Sequence, residues 1–272
     1  MKTLVLANHK GGVGKSAVAT LVAHYCARQR RRVLAIDLDH QGNLSSAVKL
    51  AGRATSASLS SDQLLASSDQ RLPEDEFVLV QAGDGLLGLE RRPESHNQIA
   101  SNLRDLLERV DDQFDVCVID TNPNPDIRLI AALASADFVV CPIQLNQEAI
   151  DGVRALLHHP RVGIQKIRAV LNPKLSLIGL LPTLVEPTPF QRANFAALAE
   201  RHGPLMIRLS ERLADLAFIP KCSAIAEAQA TGVPLWEIKK TAARDAWVEI
   251  EPALRYILEI VSESGAGAAS AV

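Results

Sequence analysis

Apolar residues fall in short blocks, and the blocks alternate between two periods. Residues 3–7 (Thr-Leu-Val-Leu-Ala) are nearly continuous apolar chain. A run of that length bounded by turn residues reads as a buried strand. A glycine-rich stretch, 10–15, follows, and 16–30 carries Ala, Val and Leu at helical spacing. Residues 33–36 read as a second strand, ending in Asp37. The stretch 51–76 is poor in large apolar residues and rich in Ser and Asp, so it reads as a surface excursion with one short helix near 62–66. Strands are expected at 77–81, at 116–119 ending in Asp120, and at 138–142, with strand-like runs at 169–171 and 177–181. Helices are expected at 99–110, 147–157, 189–202, 223–230 and 242–262.

Alternating strand and helix imply βαβ units and a parallel sheet. The fold class is α/β: a doubly wound, mostly parallel sheet with helices on both faces. Neither a long linker nor a repeat interrupts it, so 1–262 is expected to be one domain. The Gly/Ala/Ser-rich tail 263–272 is expected to be disordered.

Composition narrows this reading. Hydrophobic residues make up 47% and charged residues 22%, which excludes a disordered chain and a coiled coil. A net charge of −2 excludes a uniformly basic nucleic-acid binder but leaves room for a local patch. The four cysteines (Cys26, Cys117, Cys141 and Cys222) match neither metal spacing nor a disulfide framework and read as buried reduced thiols. With no 18-residue apolar run and no secretory leader, the chain is expected to be cytoplasmic, with no membrane attachment.

The chemistry concentrates in Lys10-Gly11-Gly12-Val13-Gly14-Lys15-Ser16-Ala17. A strict phosphate-loop motif has glycine six positions before its lysine; here that position is His9. The physical requirement survives the change. Gly11, Gly12 and Gly14 let backbone amides turn inward around phosphate oxygens, and the helix that follows points its positive end at the same place. Lys15 can reach the β and γ phosphates of a nucleotide, and the Ser16 hydroxyl can bind Mg²⁺. Asp37 and Asp39 sit at a strand end, where doubly wound folds bind ligands. Asp120 ends another strand and is a second candidate to hold Mg²⁺ through water.

Lys-Gly-Gly-x-Gly-Lys-Ser resembles the deviant Walker A loop of the ParA/MinD ATPases, a class of P-loop NTPases. Two further stretches carry the resemblance: Asp37-Leu38-Asp39-His40-Gln41-Gly42-Asn43-Leu44-Ser45, with His40 where proline is usual, and Val118-Ile119-Asp120-Thr121-Asn122-Pro123, where Asn122 stands in place of a usual proline. Weaker matches lie at Ala82-Gly83 with Leu89-Glu90, at Pro142-Ile143-Gln144, and at Ile219-Pro220 with Glu227-Ala228. The resemblance implies ATP/ADP and Mg²⁺ as ligands. It implies that Lys10 reaches across an ATP-sandwich homodimer to the partner's phosphates, that Asp39 orients the attacking water, and that Asp37 supports the metal shell. It places adenine contacts near Thr183 and Pro220.

The resemblance also implies partners: non-specific duplex DNA, bound by the ATP dimer on the nucleoid, and a ParB-like centromere-binding protein that stimulates hydrolysis. Residues 160–245 hold twelve basic against seven acidic side chains, a local excess of +5. Arg192, Lys221, Lys239, Lys240 and Arg244 are the candidate DNA contacts. The cluster at 28–32 reads as charge at the C-terminal end of the first helix. Two alternatives stay open: a ParA-like ATPase that positions a cargo other than DNA, and a biosynthetic carboxylate-activating enzyme of the cobyrinic acid a,c-diamide synthase type.

Overall fold

The computed structural model describes residues 1–67, 69, 71–210 and 215–263. The expected disordered tail therefore lies, apart from Glu263, outside the described residues. In chain order the elements are β1 (Lys2–Leu6), α1 (Lys15–Arg28), β2 (Val33–Asp37), α2 (Asn43–Ala51), β3 (Thr55–Ser56), α3 (Ser61–Ala66), β4 (Phe77–Val80), α4 (His96–Arg109), β5 (Val116–Asp120) and α5 (Ile127–Ser135). They continue with β6 (Phe138–Gln144), α6 (Gln147–His158), α7 (Ile164–Val170), β7 (Ser176–Thr183), α8 (Pro189–His202), α9 (Ser223–Thr231) and α10 (Thr241–Glu263). Short 3₁₀ turns at Asp84–Arg91 and Pro93–Ser95 lead into α4.

The strands form one sheet in the order β3-β4-β2-β5-β1-β6-β7, and every pairing is parallel. Side chains alternate across it with the period of two that a strand dictates. Val5, Leu34, Ile36, Cys117 and Ile119 enter a core with α3 to α8. Leu4, Leu6, Val33, Ala35 and Val118 enter a second core with α1, α2, α9 and α10. Because both faces are covered, the central strands read as unbroken apolar runs. Cys26, Cys117 and Cys141 are buried as expected, whereas Cys222 is half-buried; all four are free thiols.

The register places three strand ends side by side. Leu6 of β1 lies opposite Asp120 of β5, and Asp120 lies opposite Asp37 of β2. The carboxyl edge of the sheet therefore presents the loop after β1 beside two carboxylates, Asp120 on the neighbouring strand and Asp37 one strand further, in the usual ligand crevice of this architecture.

The structure corrects the sequence reading in three places. The run 169–171 is not a strand: α7 covers it through Val170 and Leu171 caps it. α7 buries Ile164 and Ile167, one helical turn apart, while Val170 and Leu171 are 60% and 45% exposed. Their apolar character therefore reflects no burial in the sheet. Two helices were also missed. In α5 (Ile-Arg-Leu-Ile-Ala-Ala-Leu-Ala-Ser) buried residues occur almost all round, which leaves no periodic stripe to detect. α2 begins after Gly42 in a left-handed conformation, a start that polar turn residues had masked.

Candidate active site

Asn8 sets the phosphate loop in place. Its amide donates to the Pro142 carbonyl at 2.6 Å and its Oδ1 accepts the Lys10 N–H at 2.9 Å. Gln144 donates to the Gly12 carbonyl at 2.9 Å, and Thr183 Oγ1 donates to the Val13 carbonyl at 2.7 Å. None of these three was chosen as a loop support from the sequence; Asn8 directly before the motif was the available signal. Gly12 and Gly14 hold φ of +73° and +83°, a backbone region where a Cβ is strained.

Helices α5, α6 and α8 begin with side-chain caps: Asp126 accepts the Arg128 N–H, Asn146 the Ala149 N–H, and Thr188 the Gln191 N–H. α1 has no such cap, because Gly14 occupies that position. Its first N–H groups, inside the loop, are therefore free to meet an anion. Ser16 and Ala17 lie in this first turn.

Lys15 is buried, and its ammonium donates to the Lys10 carbonyl at 3.1 Å. Burial lowers its pKa, and the Asp120 and Asp39 carboxylates oppose that shift. Lys10 points elsewhere: its ammonium meets Glu148 on α6 at 3.2 Å, in an exposed pair.

The three candidate carboxylates converge beside this loop. Asp37 accepts from the Asp39 N–H through Oδ1, and from the Ser45 N–H and hydroxyl through Oδ2, all within 3.0 Å. Burial still pushes its carboxyl up to about 6, against the pull of the Ser45 bonds. Asp39 accepts the Gln41 N–H at 3.1 Å. Asp120 is fully buried, and among the described residues neither of its oxygens has a partner within hydrogen-bond distance, the Ser16 hydroxyl lying near enough only to ease its charge. Burial and the neighbouring Asp37 carboxylate drive its pKa far up.

An orphaned buried carboxylate needs a counter-charge or a solvated cation. The donor set beside it, one hydroxyl and carboxylate oxygens, suits Mg²⁺ chemically. Among the described residues no three His, Cys, Asp or Glu side chains could cage a metal by themselves. The arrangement instead fits an ion that shares its shell with phosphate and water.

The remaining candidates lie apart from this cluster. Pro220 forms a bridge with Val185, two residues beyond Thr183, and both line a cavity of about 740 Å³ under α8. Arg192 lines the same cavity, and Lys221 pairs with Glu186 at 3.1 Å. Lys239, Lys240 and Arg244 sit together around the start of α10, with Lys240 paired to Glu227 at 2.6 Å. Among the described residues no helix is long and apolar enough to cross a membrane.

Comparison with known proteins agrees with this geometry. A family model described as an AAA domain (AAA_31) matches residues 1–177. Protein IncC of Escherichia coli is 32% identical over 269 residues, covering 94% of this chain and 69% of IncC. The chromosome-partitioning ATPase Soj of Thermus thermophilus is 34% identical over 187 residues, covering 68% of this chain and 70% of Soj. Apo McdA from Cyanothece has the same fold, with a TM-score of 0.73 at 23% identity over 93% of this chain and 99% of that one. Cobyrinic acid a,c-diamide synthase from Mycobacterium smegmatis, solved with a bound ATP analogue and magnesium, gives 0.65 at 26% identity over 89% and 98%. The loop, the carboxylates and these relatives together place the chain in the ParA/MinD family of P-loop ATPases.

Proposed function

We propose that this chain is a partition ATPase, with residues 1–262 acting as one unit, whose ATP-bound homodimer binds duplex DNA without reading its sequence. The observation that carries this reading is Lys10. It belongs to the phosphate loop yet turns away from its own site toward the exposed Glu148, so its ammonium is available to a second copy. The names of the relatives IncC and Soj, the latter a chromosome-partitioning ATPase, support partition over biosynthesis.

In this mechanism the amides of Gly11 to Gly14 and the open N-terminus of α1 bind the phosphates. Lys15 shifts from the Lys10 carbonyl to the β and γ phosphates. Ser16, with Asp37 and Asp120 through water, would hold Mg²⁺, which neutralises phosphate charge. Asp39 orients the water that attacks the γ-phosphorus as the bond to the ADP oxygen breaks. Lys10 of the second copy neutralises charge on the transferring group. Such transfer is mainly positioning and electrostatics, which these residues supply without a covalent intermediate. ADP and phosphate then leave the dimer without its bridging charge, and it separates. A DNA-binding partner protein that stimulates hydrolysis would set the timing.

Arg192, Lys239 and Arg244 have no carboxylate ion pair among the described residues, whereas Lys221 and Lys240 do. The test is retention of random duplex DNA with ATP, ADP or no nucleotide across a salt series. Binding is expected only with ATP and should fall steeply with salt, as phosphate contacts require. Absence of ATP-dependent binding at low salt would refute the DNA reading and favour a non-DNA cargo or a biosynthetic role.

A further inference from the structure

Asn122 and the pair Asp126 and Arg128 have no role in the mechanism above, yet they meet in the interior. Arg128 is 3% exposed and Asp126 6%. Burying an ion pair costs desolvation on both sides, and such pairs are weak contributors to stability. Capping α5 needs only Asp126 Oδ1, which accepts the Arg128 N–H at 3.0 Å. The rest of the cluster exceeds that need. Asp126 Oδ2 accepts from Asn122 Nδ2 at 2.9 Å, from Arg128 Nε at 3.1 Å and from Arg128 Nη2 at 2.6 Å. The remaining guanidinium nitrogen, Nη1, donates to the Leu38 carbonyl at 3.5 Å.

That carbonyl shares a peptide unit with the Asp39 N–H, which donates to Asp37 Oδ1 at 3.0 Å. A peptide unit is planar, so holding its oxygen and its N–H fixes the plane from which the Asp39 side chain departs. The preceding N–H, of Leu38, donates to the Asp120 carbonyl at 3.0 Å. Asn122 and Asp126 lie on the loop between β5 and α5, and Pro123 of that loop packs 3.9 Å from where a side chain on Gly11 would begin. A single buried guanidinium therefore bridges the loop after Asp120 to the backbone between Asp37 and Asp39.

We propose that Arg128, gripped by Asp126 and Asn122, is a positioning residue that aims Asp39 and makes the two loops move as one body. The aiming rests on the reading of Asp39 as the residue that orients water; the mechanical link between the loops does not.

Two measurements test this. The first is hydrogen exchange over residues 37–41 in the nucleotide-free protein, for Arg128→Lys, which keeps the charge and loses the fork, and for Asn122→Ala, which leaves the ion pair intact. Exchange there should quicken about tenfold in Arg128→Lys and to a lesser degree in Asn122→Ala, with β1 and β6 unchanged. The second is hydrolysis. In Arg128→Lys, kcat should fall about tenfold, in line with the cost of small misplacements of catalytic groups, while KM for ATP stays within about twofold. Added to Asp39→Ala, the same substitution should cost nothing more. Unchanged exchange over 37–41 in both variants, or multiplicative losses in the double variant, overturns the proposal. If Asp39→Ala alone hydrolyses ATP at the wild-type rate, the water-orienting reading falls, and the exchange result by itself decides whether Arg128 holds the segment. Should Arg128→Lys not fold, Asn122→Ala carries the same exchange test.

Discussion

At the residue scale, the site sets two lysines, proposed to meet phosphate, beside buried carboxylates that raise one another's pKa. Lys15 is already engaged by a backbone carbonyl, so its loss removes the loop's internal tie as well as its proposed phosphate contact. Lys15→Ala is expected to abolish nucleotide binding, read by titration with a fluorescent ATP analogue. Asp39→Ala should still bind and should accumulate as an ATP-bound dimer, read by size-exclusion chromatography and by loss of phosphate release. Binding without accumulation of the dimer would contradict the assigned role. These residues were legible in the sequence because glycines and lysines at fixed spacing carry a backbone requirement as well as a charge. Arg128 was not legible. An Asp and an Arg two positions apart look like ordinary surface charges, and only their burial distinguishes them.

Elements depend on contacts that local sequence does not record. α9 ends at Gly232, whose φ is +73°. A Cβ there would lie 2.3 Å from the Ala51 N at the end of α2. This glycine thus serves both as a helix stop and as the point where two helix ends touch. Gly232→Ala is expected to destabilise the protein by about 1–3 kcal/mol through overpacking, with further cost from the positive φ, as measured by urea unfolding. A change below about 0.5 kcal/mol would mean that the two helix ends separate freely. At the C-terminal end of α1, Arg28 lies 5.0 Å from the rings of both Trp236 and Trp247, and Arg32 pairs with Asp115 at 2.8 Å. The basic cluster after α1 thus has structural partners on other elements, which a sequence run of arginines cannot reveal. Helix α5 illustrates the converse limit: a segment buried nearly all round has no polar face by which to be recognised.

For the whole molecule, the buried charges set how stability depends on pH. A carboxyl with a raised folded pKa holds its proton more tightly in the native state, so it favours folding at low pH. That advantage is lost as pH rises from the unfolded value through the folded one. For Asp37 the window runs from 3.8 to about 6, and Asp120 extends it upward. His9 and His24 act in the opposite sense. Burial lowers each from 6.5 to about 4, so they destabilise the fold as pH falls through that range. The histidines oppose the two carboxyls between about 4 and 6.5, and Asp120 continues the carboxyl effect above that range. Above about pH 6.5 the nucleotide-free protein should therefore lose thermal stability as the Asp120 carboxyl ionises. Asp120→Asn should flatten that decline and raise the melting temperature at pH 7.5, at the expense of Mg²⁺-dependent nucleotide binding. A wild-type profile that rises over the same range would contradict the orphaned carboxylate.

The borders of the sheet have a bearing on assembly. On one side β3 is only two residues long, and both are exposed and polar. On the other, the outer edge of β7 is already occupied: Ile207 N–H donates to the Leu180 carbonyl and Ile219 N–H to the Pro182 carbonyl. Among the described residues, neither border offers a long free ladder for another strand. Extension of the sheet from one copy to the next into a ribbon or fibril is therefore disfavoured. Self-association is left to loops and helix faces, where it can be made conditional on what the loops hold.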